Sequence, residues 1–375
     1  MKKMFFMGAL AFALMAVSCT NEDEPIVTNL QDSNLLSFST IASTTSRGAT
    51  ITSNTDLQSS TIDVFAYKDG SENLFMGTSS SDGVKLTYNN GWGYDDATES
   101  EYWPNDTIHF YAISPEYDQN LVKTFASGDQ EMTYTVPEDN GDHIDVMYAM
   151  VLNSHRNDRD GDGSGRTSGT VNLVFTHILT QISFSAKTTK SSMEIDIESV
   201  ELYNVLNTAT FNLTKDSWGD FTRTYSDYAL GLTADVVDIT DTEVTLNDAT
   251  GAMMLIPQTL TEWDNSTSST TTIADADAAN QSYLKIMCKI KVTTDGDSYL
   301  YGSATEYLPV YIPFGGVLEQ GKQVNYLLTF GDSSTGGSGG GGYDEDGDPI
   351  LSDILITFDA TVNGWSDAGS TTTTM

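Results

Sequence analysis

Ile354-Leu355-Ile356-Thr357-Phe358-Asp359-Ala360-Thr361-Val362, near the end of the sequence, carries the pattern around which the rest of the chain is organised. Ile354, Ile356, Phe358, Ala360 and Val362 alternate with Leu355, Thr357, Asp359 and Thr361, the two-residue period of a β-strand with one apolar and one mostly polar face. It follows residues 331–348, a run so rich in Gly, Ser and Asp that it predicts an unfolded tether. An apolar strand on a tether has to be buried, either in its own domain or in a neighbour's.

Outward from that strand the same pattern recurs. Alternating segments occur at 61–67 (Ile62, Val64, Phe65, Tyr67), 107–112, 131–136 and 144–151, and again from Val171 through Leu173 and Phe175. More follow at 195–206, 209–213, 244–246, 253–256, 283–292, 307–312 and 324–330. Asn89-Asn90-Gly91 is a hairpin turn signal, because Asn tolerates and Gly favours positive φ. Long stretches of helical period are missing beyond the first residues, so the chain reads as all-β, with strands spaced as a β-sandwich requires. At 375 residues, two cores are expected. The polar, Gly-bearing segment 155–169 is the natural boundary, giving one domain over 48–165 and another over 166–330.

The 53 acidic residues outnumber 17 basic ones, for a net charge of -36. That balance excludes nucleic acid and anionic membrane surfaces as partners, since both would repel the chain. No apolar run is long enough for a spanning helix.

The N-terminus carries Lys2 and Lys3, an apolar run over 4–17, then Ser18 and Cys19, a secretory signal over 1–19. Ala16-Val17-Ser18-Cys19 resembles the lipobox of bacterial lipoproteins, with Ala16 in place of the usual Leu; the alternative is an ordinary signal with an incidental Cys. An acidic segment with Glu22, Asp23 and Glu24 follows, and then Leu36, Phe38 and Ile41, a short strand-like segment. Arg47 sits among small polar residues, where it is either a site for a trypsin-like protease or an ordinary surface Arg.

Chemistry-bearing constellations are sparse. His109, His143, His155 and His177 are scattered, and neither a Gly-x-Ser-x-Gly elbow nor a His-Glu-x-x-His pair occurs, so no catalytic residue, cofactor or enzyme activity is expected. Asp158, Asp160 and Asp162 match the first half of a calcium loop but lack the closing Glu, which leaves calcium or an acidic linker; Asp344, Asp346 and Asp348 have similar spacing and end at Pro349. No metal residue is assigned. In 283–292, Leu284, Ile286, Cys288, Ile290 and Val292 read as the inward face and Lys285, Lys289 and Lys291 as the outward one, so Cys288 is a packing residue. Trp92, Trp218 and Trp263 either cover the sandwich ends or form a sugar-stacking platform.

The order of segments resembles the fimbrillin family, the type V pilins of Gram-negative bacteria, over essentially the whole length. The resemblance rests on Cys19, Arg47, Tyr102-Trp103-Pro104 before Phe110-Tyr111-Ala112, and Phe175-Thr176-His177-Ile178-Leu179. Leu255-Ile256-Pro257-Gln258, Gly321-Lys322-Gln323-Val324-Asn325-Tyr326 and Ile356-Thr357-Phe358 with Trp365 complete it. What it implies is two transthyretin-like β-sandwich domains in tandem with a C-terminal donor strand. It also implies an outer-membrane precursor lipidated (palmitate) at Cys19, and a propeptide, 20–47, removed by a trypsin-like surface protease between Arg47 and Gly48. Leu36, Phe38 and Ile41 would be the displaced strand. Residues 331–349 would be the tether. The donor strand within 350–375 would carry Ile354, Ile356, Phe358, Ala360, Val362 and Trp365. The implied role is a structural subunit of cell-surface fimbriae serving adhesion and biofilm formation, without catalysis. Its partners would be other pilin subunits, anchor and tip included, the protease, and host or bacterial surface ligands, with the membrane touched only through the precursor's lipid. The alternative is a tip adhesin or glycan-binding outer-membrane lipoprotein using Trp92, Trp218 and Trp263.

Overall fold

The computed structural model describes residues 35–42, 54–126, 129–155, 170–247, 251–266, 271–294, 298–331 and 342–350, and the backbone of 355–364 and 373–374. Strands are numbered in chain order. The first sheet holds β1 (Ser37–Ala42), β2 (Ile62–Lys68), β3 (Leu74–Met76), β4 (Val84–Tyr88), β5 (Trp92–Tyr94), β6 (Ile108–Ser114), β9 (Met147–Ser154) and β10 (Thr170–His177). Their order is β3-β2-β4-β5-β1-β10-β9-β6, and a further β2–β6 pairing closes β2-β4-β5-β1-β10-β9-β6 into a ring. Alternation fills it: Ile62, Val64 and Ala66 of β2 point inward with Leu86, Phe110, Ala112, Met147, Val171, Leu173 and Phe175, all buried. The predicted turn joins β4 to β5, with Asn90 at φ 56 and the Asn89 N–H donating to Gly91 O at 2.9 Å.

The second unit has two facing sheets. One contains β11 (Thr180–Thr188), β15 (Val244–Thr245), β16 (Met253–Leu255), β22 (Lys322–Gly331), β23 (Leu355–Gly364) and β24 (Thr373–Thr374). The other is built on β12 (Met193–Asn212), which pairs with β18 (Tyr283–Val292), β13 (Ser217–Ala229) and β14 (Val237–Ile239), while β18 pairs with β19 (Ser298–Tyr301) and β20 (Leu308–Pro313). A two-strand ribbon, β17 (Thr259–Leu260) with β21 (Gly316–Val317), and a short helix, α2 (Ile273–Ala279), complete it, while another short helix, α1 (Asn54–Leu57), packs Leu57 into the ring. Phe184, Ile195, Ile197, Leu202, Leu255, Ile286, Ile312, Leu328 and Phe330 form the shared core.

Three features depart from the sequence reading. The segments expected at 195–206 and 209–213 merge into one long strand that ends at Asn212, because β12 continues through bulges past Asn204 and keeps partners on both sides. β13 has no apolar alternation, and only Ser226 and Tyr228 of its side chains are buried; it is held by pairing to β12. The passage between units falls at Ile178–Leu179 rather than near 165, because β10 stays in the first sheet, parallel to β1 and antiparallel to β9. Trp218 Nε1 donates to Ile178 O at 2.7 Å and pins the passage.

The hairpin of β7 (Leu121–Ala126) and β8 (Asp129–Thr135) belongs to both units. β8 pairs with β12, while Phe125 and Met132 pack on the outer face of the ring beside Phe65, Tyr67 and Tyr111. This explains why β2 is buried on both faces. Phe65 stacks on Phe125 at 4.2 Å and the Tyr67 hydroxyl donates to Phe125 O at 2.6 Å.

In β18 the expected faces appear. Leu284, Ile286, Cys288 and Ile290 are buried, and the outward lysines pair across to β12: Lys285 with Glu201 (3.3 Å), Lys289 with Asp196 (3.1 Å) and Lys291 with Glu194 (2.6 Å). Burial pushes the Cys288 thiol up to about 12, so it stays a neutral packing group.

Candidate functional site

β1 is one stave of the closed ring. It runs parallel to β10 over six residue pairs, Ser37↔Thr170 to Ala42↔Phe175, and meets β5 at Phe38↔Trp92. The Leu36 N–H donates to Glu101 O at 2.9 Å. Side chains tie it on both flanks: Trp92 Nε1 donates to Thr40 Oγ1 (2.7 Å), the Tyr94 hydroxyl to Leu36 O (3.2 Å) and Ser39 Oγ to Asn172 Oδ1 (3.2 Å), and the Ser37 and Thr170 hydroxyls share a hydrogen bond (2.7 Å). Burial raises the Tyr94 phenol to about 12, which keeps it a donor. Inward, Phe38 meets Tyr94 and Phe110 edge-on with centroids at 6.0 and 6.1 Å, and Trp103 backs Phe110 at 5.9 Å. This strand therefore fills a slot flanked by β5 and β10 and floored by Phe110.

Leu36 and Phe38 point into the ring, but Ile41 does not; it is 44% exposed. Period two from Leu36 and Phe38 arrives at Thr40, and Ile41, the next apolar residue, is out of phase. Phe38→Ala in the full chain is expected to lower stability by about 3–5 kcal/mol, as for other buried Phe truncations. Ile41→Asp should stay within about 0.5 kcal/mol. Denaturant midpoints of the two variants check this assignment, and equal losses would reject it.

At the other end of the chain β23 lies antiparallel to β22 over ten residue pairs, Lys322↔Gly364 to Gly331↔Leu355. Ile356, Phe358, Ala360 and Val362 are in register with Phe330, Leu328, Tyr326 and Val324, the buried row of β22. Among the described residues, β23 pairs on its far side only with β24, at Thr361 and Val362. Cys19, Arg47, Gly48, Ile354 and Trp365 lie outside the described residues, as does the 158–162 acidic loop.

The profile of the fimbrillin-like family matches residues 48–365. The chain belongs to the fimbrillin-like family. The match begins beyond Ala42, where β1 ends, so a strand lying outside the family region completes the ring within it. Among solved structures, a fimbrial protein from Bacteroides vulgatus superimposes with TM-score 0.56 at 16% identity, covering 88% of this chain and 99% of that one. A protein described as a candidate cell adhesion protein from Bacteroides uniformis gives TM-score 0.44 at 13% identity over 88% and 98%. No curated protein sequence matches the chain. The B. vulgatus likeness shows the fold, and family membership places the chain among fimbrial proteins.

The tether expected of this fimbrillin-like chain is not wholly free. Tyr343 exchanges backbone hydrogen bonds with Tyr311, both 2.9 Å, and its ring meets Trp263 at 5.6 Å. The Ile273 N–H donates to Glu345 O at 3.1 Å, and Gly347, at φ 81, lies so close to Thr271 that no side chain would fit. An aromatic residue inside a Gly-rich run was the available signal. Asp344 accepts the Asp346 and Asp348 N–H groups at 3.1 and 2.9 Å, a turn function for its carboxylate. Among the described residues no cluster of metal-ligating side chains occurs.

Trp92, Trp218 and Trp263 lie in three different clusters and do not come together as one platform. Trp263 is buried in an aromatic cluster with Tyr283 and Tyr311, and Trp92 and Trp218 are half-buried with their N–H groups bonded to Thr40 and Ile178. Large aromatics at strand ends serve packing here. His177 is likewise a core residue, its Nδ1 3.0 Å from Asp145.

Proposed function

We propose that the chain is a structural pilin subunit of cell-surface fimbriae. It is exported as a precursor lipidated at Cys19, cut between Arg47 and Gly48 by a trypsin-like surface protease, and polymerised by donor-strand exchange. The two β units serve as the transthyretin-like domains of the family, and the chain performs no catalysis. The observation that carries this reading is the closed ring whose β1 stave lies outside the family match, upstream of Arg47.

Cutting after Arg47 severs β1 from the ring it completes. Once it leaves, β5 and β10 present unpaired backbone groups around an apolar floor, a template for an incoming strand. The residues 354–362 fit that demand. β1 offers two large inward side chains, Leu36 and Phe38, or about 3–6 kcal/mol of gross burial. Ile354, Ile356, Phe358 and Val362 offer on the order of 6–12 kcal/mol, before ladder hydrogen bonds of about 0.5–1.5 kcal/mol each. Replacement is therefore downhill in burial. In the uncut precursor the slot is full, and β23 rests on the edge of β22 in its own second unit. Its pivot is Ile350 while the Tyr343 clasp holds; with the clasp open, the segment from 331 to 349 stretches to about 60 Å.

Fimbriae sheared from cells give the direct test. N-terminal sequencing of the assembled subunit is expected to begin at Gly48. A lipidated Cys19 in the assembled subunit would reject processing and, with it, the vacated slot.

A further inference from the structure

Asp63 and Lys123 are an oppositely charged pair enclosed between the two units. Asp63 is the first member of the outward row of β2, followed by Phe65 and Tyr67, and Lys123 comes from β7, which lies over that row. Their side chains are 2% and 9% exposed and contact each other as an ion pair. Lys123 Nζ also donates to Glu116 O at 2.7 Å and sits 5.6 Å from the centroid of the Phe65 ring, itself stacked on Phe125. The Gly83 N–H donates to the Asp63 carboxylate, and a Cβ at Gly83 would overlap Asp63 Oδ1.

We propose that the Lys123 side chain is joined to that of Asp63 by an intramolecular amide bond, formed by the folded protein itself. A buried ion pair keeps a large desolvation cost that its attraction only partly offsets, and burial is the largest influence on Asp63, raising its proton affinity against the opposing pull of Lys123. Passing one proton from Nζ to Oδ2 removes both charges and leaves an amine lone pair beside a carboxylic acid. Nζ then bonds to Cγ. The negative charge that develops on Oδ1 is held by the Gly83 N–H, as in an oxyanion hole. The Cγ–Oδ2 bond breaks, and Oδ2 leaves as water carrying the two protons lost by the ammonium. Ammonium plus carboxylate thus become amide plus one water, with no oxidant, reductant or activating group required. Fixed proximity supplies the drive, since held reactants behave as if at about 10⁵–10⁸ M.

The surroundings suit the product better than the reactants. An amide has one N–H and one C=O to satisfy; Glu116 O stands ready for the first and the Gly83 N–H for the second. The bond would tie β2 of the ring to the hairpin that pairs with β12, so the two units would be covalently welded across their contact. In a subunit that bears tension along a filament, a consequence resting on the fimbrial reading, load would then not depend on side-chain packing between them.

Mass spectrometry of the folded full chain and of its Lys123→Arg variant tests this independently of assembly. The wild type should be lighter by one water than its sequence between its observed termini, and a protease digest should yield one branched peptide containing both Asp63 and Lys123. Lys123→Arg keeps the positive charge, and should show the full mass and two separate peptides. Full mass with separate peptides in the wild type would overturn the proposal, as would a water loss confined to one unbranched peptide. The wild-type measurement decides even if the variant does not fold.

Discussion

Truncation after Pro349 is expected to leave a folded, secreted chain that does not enter fimbriae. The cores explain why folding survives. Ring and second unit are filled by buried residues between Leu36 and Phe330, and β23 adds a strand to a β22 already paired with β11 from Lys322 to Phe330. Val324, Tyr326, Leu328 and Phe330 remain packed against the opposite sheet, and stopping at Pro349 keeps the Tyr343 clasp, whose backbone bonds to Tyr311 do not need residue 350 or beyond. What is lost is the strand that would enter the neighbour's slot, worth on the order of 6–12 kcal/mol of gross burial at each joint. Without it no joint has a comparable substitute, so the drop should be to background rather than fractional. Electron microscopy of cells, with immunodetection of secreted monomer, reads both halves. Fimbriae of normal length from the truncated chain would remove donor-strand exchange by this segment.

Arg47→Ala is expected to give an equally complete block by the opposite route. The C-terminal strand is intact, but β1 stays covalently attached and the slot stays full. Expelling an attached β1 would mean giving up the Leu36 and Phe38 burial and its two-sided hydrogen bonding, while its chain continued to hold it near the slot at high effective concentration. The variant should accumulate as uncut, membrane-associated precursor with no filaments, and supplying a purified trypsin-like protease should not rescue it. Assembly of Arg47→Ala at wild-type levels would move the processing step elsewhere. Combining it with Phe38→Ala, which weakens β1 in place, should restore little, because a loosened strand still occupies the backbone positions.

Some of this was readable directly from residue order. Period-two alternation in 62–67, 171–175, 283–292 and 324–330 places those strands because one buried face per strand is a local property of the sequence. The Asn89-Asn90-Gly91 turn and the neutral packing role of Cys288 follow for the same reason. The first and last strands stand out because each is apolar and flanked by segments that cannot bury anything. Where a local pattern was misleading, a neighbour had overruled it. Ile41 is apolar yet faces solvent, since β10 fixes β1 in the register that turns Leu36 and Phe38 inward. β13 is polar yet forms a strand because β12 supplies its hydrogen bonds. Tyr343 anchors a Gly-rich run because Trp263 and Tyr311 wait for it.

By itself the sequence determined an all-β chain with two cores, an apolar segment before Arg47 and an apolar strand near the end, since composition and alternation are written residue by residue. Only the tertiary structure decided that the first segment is an inner stave of a closed ring rather than an edge, that β7–β8 joins the units, that the final strand rests on β22, and that Asp63 meets Lys123. Each of these is a contact between residues far apart in the chain, and the energy that selects it arises only when backbone hydrogen bonds and buried surfaces from distant segments are satisfied together.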